Sequence, residues 1–293
     1  MTSQQLDIFV DSRDTMLRND VTAVLERHEA VGARSAWATL AAEFPHDEAL
    51  APLSVLVDAL EQRSFAPLPH HEAVRHARGA LSDAIEPAAL RVFGGRAAAK
   101  WLAPLWRELA QRASHLAFRP EYSEDHAAAL WLKARDWSAA HDAVERIESW
   151  RRIPATLAWM AEAQYRLHDL DGAWALLAEL AWLSPDRFDQ LTGRLDDPLL
   201  GRLRKAFDAR FEGQGDVRDL AWFPAWVLTE TPGLSRLLSQ AQHCLHTEPE
   251  QAMRLLVEIL GLERQGRHHD VVARRKGLRD AHASLYAAYM SSR

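Results

Sequence analysis

The sequence predicts an all-α protein built as a superhelical array of antiparallel helix pairs. The main observation is an internal repeat, since residues 135–140 (RDWSAA) are answered by residues 168–173 (HDLDGA) 33 positions later. The match extends to both sides within residues 121–185, where apolar positions correspond at the same offset. A period of this size is typical of stacked helical hairpins, in which each unit buries its apolar face on its neighbour. The chain also shows no β-type alternation of useful length, which favours helix throughout.

The composition is that of a folded protein. With 48% apolar and 26% charged residues, the 293-residue chain is too hydrophobic for disorder and long enough for one large helical array or two conventional domains. A formal net charge of −6 argues against general nucleic-acid binding, which depends on phosphate neutralisation. The single cysteine, Cys244, excludes an internal disulfide and fits a reducing compartment. No secretory signal and no apolar run of about 20 residues is found, so the sequence predicts a cytoplasmic protein without a membrane partner.

Residues 1–118 are predicted to form an N-terminal helical region. Apolar residues at helical spacing predict helices around Leu6, Phe9, Val10 and Leu17, around Val21 and Leu25, around Trp37 and Leu40, and around Leu53, Val57 and Leu60. Pro45 ends the third of these, because the residue before a proline avoids the helical region. The segment 65–69 is predicted to be an extended connector, and the helix that begins near Ala73 is predicted to break at Glu86–Pro87.

Residues 119–185 contain the two matched hairpins. The predicted helices cover 123–134, 137–149, 155–167 and 170–183. Asp136 and Asp169 fall in the tight turns between partner helices, where a short acidic side chain can satisfy free backbone donors. Ala140 and Ala173 fall where paired helices would cross, and a small side chain there lets the helix axes approach to about 8–10 Å.

Residues 186–293 are predicted to form a C-terminal helical region that continues the array. Prolines in the first helical position start helices at about 185–192, 198–211 and 232–245, and a turn is predicted over 212–216. Another helix follows Pro249, with Met253, Leu256, Ile259 and Leu260 buried. In the last segment Val271, Leu278 and Leu285 recur seven residues apart.

The second hairpin resembles a tetratricopeptide repeat (TPR). Ala161 stands where that family usually has glycine, Ala173 matches the crossing alanine, and Pro185 matches the terminating proline. The first hairpin is similar, but Arg152 replaces the proline. The resemblance covers about 65 residues. It implies an α-solenoid in which the first helix of each hairpin lines a concave groove for a protein or peptide partner.

The resemblance also implies which positions line that groove. In the first hairpin they are Tyr122, Asp125, His126, Ala129, Leu132 and Lys133, and in the second they are Ala155, Ala158, Trp159, Glu162, Tyr165 and Arg166. His126, Lys133, Trp159, Glu162, Tyr165 and Arg166 are the candidate partner-binding residues, because aromatic and arginine side chains dominate binding hot spots. The alternative is that Trp159 and Tyr165 pack between repeats.

Three segments partly match zinc-binding or phosphate-binding motifs, but each lacks a residue that the motif requires. The sequence therefore predicts no catalytic residue, metal or cofactor. His71 and His76 are five residues apart, whereas a zinc-binding helix needs two histidines four apart. The segment 94–100 resembles a phosphate loop but has Trp101 where Ser or Thr should bind magnesium. His243, Cys244 and His246 are too few for a structural zinc site.

A cluster of basic residues near the C-terminus and the 11 tryptophans can each be explained without a ligand. The cations are Arg264, Arg267, Arg274, Arg275, Lys276 and Arg279, which could receive an acidic partner or form the exposed face of a helix. Most tryptophans, including Trp101, Trp106, Trp174 and Trp182, are interpreted as packing between helices.

The sequence therefore predicts a noncatalytic adaptor that binds a protein or peptide. Two alternatives stay open: an all-helical enzyme with a dispersed active site, and a homo-oligomeric structural module that uses the C-terminal helices. Convergent ionisable groups in a pocket would favour the enzyme, and a large apolar face over residues 250–290 would favour the module. The sequence leaves the oligomeric state open.

Overall fold

The computed structural model describes residues 3–242 and 245–292 and is helical throughout its regular elements, with no strand in the described ranges. The chain divides into two compact units, Met1–Asp136 and Trp137–Arg293. This boundary falls inside the segment 119–185, between the two predicted helices of the first hairpin. The three-part division of the chain into 1–118, 119–185 and 186–293 stays a prediction. The predicted core side chains of Leu6, Phe9 and Val10 lie outside the side chains described.

The first unit contains seven α-helices among its described residues. They are α1 (Ser3–Glu26), α2 (Ala30–Glu43), α3 (Leu50–Glu61), α4 (His71–Ala80), α5 (Glu86–Phe93), α6 (Gly95–Ala113) and α7 (Ala127–Lys133). A π-helical turn, Leu81–Ile85, joins α4 to α5, and a 3₁₀ helix, Pro120–Asp125, precedes α7. The buried apolar side chains of this unit include Leu25 of α1, Leu53 of α3 and Trp101 of α6. Trp101 also donates from Nε1 to the carbonyl of Leu25 (2.7 Å), which ties α6 to the end of α1.

Two predictions in this unit are wrong in detail. No break occurs at Glu86–Pro87, because the π-helical turn carries the chain directly into α5 and proline stands in its first turn, where a missing N–H is tolerated. The helix predicted over 123–134 begins only at Ala127. His126 has extended backbone and caps α7, since its Nδ1 accepts from the N–H of Ala128 (3.2 Å).

The second unit contains nine α-helices among its described residues. They are α8 (Trp137–Glu145), α9 (Pro154–Leu183), α10 (Pro185–Leu195), α11 (Pro198–Arg210), α12 (Phe223–Glu230), α13 (Ser235–Leu238), α14 (Glu248–Arg264), α15 (His268–Ala281) and α16 (Ala283–Ser291). Short 3₁₀ helices cover Trp150–Arg152, Val217–Trp222 and Pro232–Leu234. Helix α9 packs on α8 and α10, and α14 packs on α12 and α15. The aromatic side chains of Phe188, Phe207, Phe223 and Trp226 form a buried cluster in this unit.

Helix α9 is broken at one point into the two arms that the sequence predicts. His168 and Asp169 have non-helical backbone, with φ 58° and ψ −164° at Asp169. Gly172 packs tightly against this turn, because a Cβ at residue 172 would lie 2.6 Å from the Cβ of His168 and 3.5 Å from the carbonyl of Gln164. The predicted arms, 155–167 and 170–183, are therefore confirmed. Ala140 and Ala173 are fully buried, as expected for small residues at close contacts.

The helix predicted over 232–245 is wrong beyond Leu238. After a 3₁₀ turn and α13, the chain leaves helical geometry, and buried carboxylates bind backbone N–H groups of the segment that follows. Glu179 accepts from the N–H of Gln242 (2.8 Å), and Glu250 accepts from the N–H groups of residues 245 and 246 (3.0 and 2.8 Å). Glu179 belongs to α9 and lies 63 residues before Gln242, so this acceptor could not be read from local sequence.

Candidate functional site

An exposed arginine lies between two aromatic rings in the second unit. The guanidinium carbon of Arg166 is 5.3 Å from the ring centre of Tyr165 and 5.6 Å from that of Trp137. Arg166 and Tyr165 lie on the first arm of α9, and Trp137 is the first residue of α8, which packs on it. Such cation–π contacts restrict the guanidinium and leave its N–H edge available. We call Trp137, Tyr165 and Arg166 the Arg166 surface.

The neighbours of this surface hold its geometry. Tyr165 donates its hydroxyl to Asp197 (3.1 Å), the N-cap residue of α11, and Glu162 accepts from Arg194 of α10 (2.8 Å). Burial, together with the nearby charge of Asp197, raises the pKa of Tyr165, so the hydroxyl stays a donor at neutral pH. Within the described ranges no carboxylate forms an ion pair with Arg166, in contrast to Arg194.

The six predicted partner-binding residues differ in how much surface they expose. His126 and Lys133 belong to the first unit, where His126 is buried as the cap of α7 and Lys133 is exposed with Nζ 5.7 Å from the ring of Trp106. In the second unit Trp159 is only 6% exposed, which fits packing between helices better than direct contact with a partner. Glu162 and Tyr165 are partly exposed, and Arg166 is exposed. Sequence reasoning missed Trp137, although it lies within the repeated hexapeptide.

Two almost fully buried carboxylates accept hydrogen bonds from the segment that follows α13. Glu179 of α9, 2% exposed, accepts from Arg151 (2.7 Å) as well as from Gln242. Glu250 of α14, 1% exposed, accepts from Arg254 (2.8 Å), whose guanidinium also lies over the ring of Trp182. Burial raises the pKa of Glu179, against the opposing effects of the Gln242 N–H and of Arg151. Because both carboxylates bind backbone N–H groups of one segment, this cluster has a structural role.

An acidic cavity of about 400 Å³ lies beside the turn before α12. Its charged lining consists of Asp189, Arg204, Asp208, Asp216 and Asp219. Arg204 pairs with Asp189 and Asp208, Asp219 accepts from two backbone N–H groups of the predicted 212–216 turn, and Asp216 accepts from the N–H two residues on. Each of these carboxylates thus has a partner inside the protein, and they stabilise the turn.

The motifs set aside in the sequence have ordinary structural roles where the structure describes them. His71 is buried and its Nε2 lies 2.8 Å from the carbonyl oxygen of Ala117, while His76 is exposed. Gly94 ends α5 with φ 75°, and α6 begins at the next residue. His243 and Cys244 lie outside the described residues. A search of the described residues finds one group with metal-ligand spacing, His141, Asp142 and Glu145 on α8, and both carboxylates of that group are exposed.

The basic concentration near the C-terminus is the outer face of α15 and the end of α14. Four of its six cations form ion pairs, namely Arg267 with Asp270, Arg274 with Glu258, Arg275 with Glu263, and Arg279 with Asp280. Val271 and Leu278 are buried on the other face, which confirms the helix-face interpretation. Trp101, Trp106, Trp174 and Trp182 are all buried, as their interpretation as packing residues requires.

Comparison with known proteins gives the chain no relative from which a function could be transferred. No family model matches it, and neither the curated proteins nor the solved structures contain a significant match. Among the described residues, no helix has the length and apolar character needed to cross a bilayer.

Proposed function

We propose that this protein is a noncatalytic adaptor that binds a protein or peptide partner through the Arg166 surface. The observation that carries the proposal is the exposed guanidinium of Arg166 held over the rings of Trp137 and Tyr165. Arginine, tyrosine and tryptophan are the residues most enriched in binding hot spots. Because the rings already restrict the arginine, a partner that accepts hydrogen bonds from it loses less side-chain entropy on binding.

A TPR-like arrangement of the hairpins is part of this proposal. Three observations support it: the 33-residue repeat, the two arms of α9 joined by a tight turn, and the buried small residues Ala140 and Ala173. In such an array the first arm of α9 faces the groove, and Glu162, Tyr165 and Arg166 lie on that arm. The direct contacts of Glu162 with α10 and of Tyr165 with the start of α11 fit a helix that packs on the following pair.

The proposal is tested by comparing Arg166→Ala with a matched control. Arg202 is also exposed, lies on α11 and forms no ion pair with a described residue, so Arg202→Ala removes an equivalent charge elsewhere in the unit. Tagged wild-type protein and both variants capture proteins from an extract of the source cells, and the captured proteins are quantified by mass spectrometry. The strongest specific partner is then purified and its affinity is measured by calorimetry.

We expect Arg166→Ala to weaken binding of that partner by about 30-fold or more, since a hot-spot loss is at least about 2 kcal/mol. Arg202→Ala should bind within about twofold of wild type, since a surface charge outside the contact contributes little. Both variants should keep the circular dichroism spectrum and Tm of the wild type. Equal capture of every partner by wild type and Arg166→Ala would contradict the assignment.

A further inference from the structure

A second cavity, of about 350 Å³, lies between the 3₁₀ helix Pro232–Leu234 and the last turn of α14. It is lined by Pro232, Gly233, Leu260, Glu263 and Arg264. Its volume is at the lower end of the range found for small-molecule sites, which suits a ligand the size of one amino acid. Pro232 and Leu260 make one part of the wall apolar, and Glu263 and Arg264 place opposite charges at its edge.

The carboxylate of Glu263 is fixed by hydrogen bonds from two other side chains. Tyr289, which is fully buried, donates its hydroxyl to Glu263, and Arg275 donates to the same carboxylate oxygen (2.9 Å). Arg275 also donates to the hydroxyl oxygen of Tyr289 (2.9 Å), so the three side chains form a closed network. Burial and the hydrogen bond to Glu263 raise the pKa of Tyr289, which therefore remains a donor at neutral pH. A carboxylate fixed in this way is preorganised for recognition.

Arg264 follows Glu263 in the chain and also lines the cavity. Its Nε donates to the carbonyl of Leu260 (3.2 Å), which orients the side chain, and the guanidinium is exposed. No described carboxylate forms an ion pair with it. The two terminal nitrogens of a guanidinium can bind a carboxylate with two parallel hydrogen bonds.

We propose that this cavity binds a small zwitterion, namely a free α-amino acid with an aliphatic side chain. Its carboxylate binds the guanidinium of Arg264, and its ammonium binds the carboxylate of Glu263. Its side chain packs against Pro232 and Leu260.

Gly233 offers a way to close the cavity without changing its charges. A Cβ on Gly233 would meet no atom within 4 Å, and its backbone is not in the left-handed region that only glycine adopts readily. A large side chain can therefore be introduced at this position, which lines the cavity, at small cost to folding. Gly201 on α11 is an equivalent exposed glycine with the same free space, and it lies outside the cavity lining.

Calorimetry with L-leucine, leucinamide and 4-methylpentanoate tests the proposal on the full chain. The wild-type protein should bind leucine, and should bind leucinamide, which lacks the carboxylate, and 4-methylpentanoate, which lacks the ammonium, at least about tenfold more weakly. Arg264→Ala and Gly233→Phe should each weaken leucine binding by at least about tenfold. The matched controls Arg202→Ala and Gly201→Phe should bind leucine as the wild type does.

Three results would overturn the assignment. The first is that the wild type does not bind leucine at a leucine concentration of 10 mM, roughly the weak limit of a specific site. The second is that Gly233→Phe binds leucine as well as the wild type does. The third is that leucinamide or 4-methylpentanoate binds as well as leucine. Arg166→Ala should leave leucine binding intact, so the outcome is independent of the proposed adaptor function.

Discussion

Asp169 is the residue at which a single substitution should most clearly raise stability. Its φ of 58° and ψ of −164° lie in a backbone region that is essentially restricted to glycine. An L-residue in such a conformation stores about 1–3 kcal/mol of strain. Asp169 is exposed and donates or accepts no side-chain hydrogen bond with another described residue, so its side chain offers no compensating contact.

Replacing Asp169 by glycine should remove this strain. Glycine brings its own cost, because it loses about 0.5–1 kcal/mol more backbone entropy on folding. The net expectation is a gain of about 0.5–2 kcal/mol in the free energy of unfolding of the second unit. For a unit of this size, that corresponds to a rise in Tm of about 1–8 °C.

Asp196 provides the matched control. It is also an exposed aspartate in the second unit, but its φ of 51° and ψ of 39° lie in the ordinary left-handed region that aspartate tolerates. Asp196→Gly should therefore change stability by much less than Asp169→Gly. Urea unfolding followed by circular dichroism measures both. A stability of Asp169→Gly equal to or below that of the wild type, or equal effects of the two substitutions, would refute the strain argument.

Two further predictions concern α9. Gly172→Ala should lower the free energy of unfolding by about 1–3 kcal/mol, because the new Cβ would overlap the Cβ of His168. Gly193→Ala is the control and should not lower it, because no atom lies within 4 Å of a Cβ at residue 193. Similar urea midpoints for the two variants would contradict the close contact at Gly172. The raised pKa of Glu179 means that the folded state binds its proton more tightly than the unfolded state, whose ordinary value is 4.5. Its contribution to stability is therefore full below about pH 4.5 and is lost as pH rises through the raised value. The free energy of unfolding of the wild type should fall relative to that of Glu179→Gln as pH rises through this range, and a constant difference would contradict it.

The two proposed sites could be read from the sequence to different extents. Tyr165 and Arg166 are predicted as partner-binding residues from their place in the repeat, and the structure brings Trp137 to them. The cavity beside Gly233 could not be predicted, because its wall joins residues 232–233 to the end of α14, and its carboxylate depends on Tyr289 from a third helix. Nothing in the local pattern of any of these segments indicates that they meet.

The sequence by itself determined the helical class of the chain and the two arms of α9. These features depend on interactions over a few residues: apolar spacing, prolines in the first turn, and small residues such as Gly172 and Ala173. Only the tertiary structure shows which groups stabilise the non-helical segment that follows α13. In the non-helical segment after α13, the N–H of Gln242 donates to Glu179, which lies 63 residues earlier in the chain. A buried carboxylate must find donors wherever the fold supplies them, and that demand overrides a local preference of a few tenths of a kcal/mol per residue.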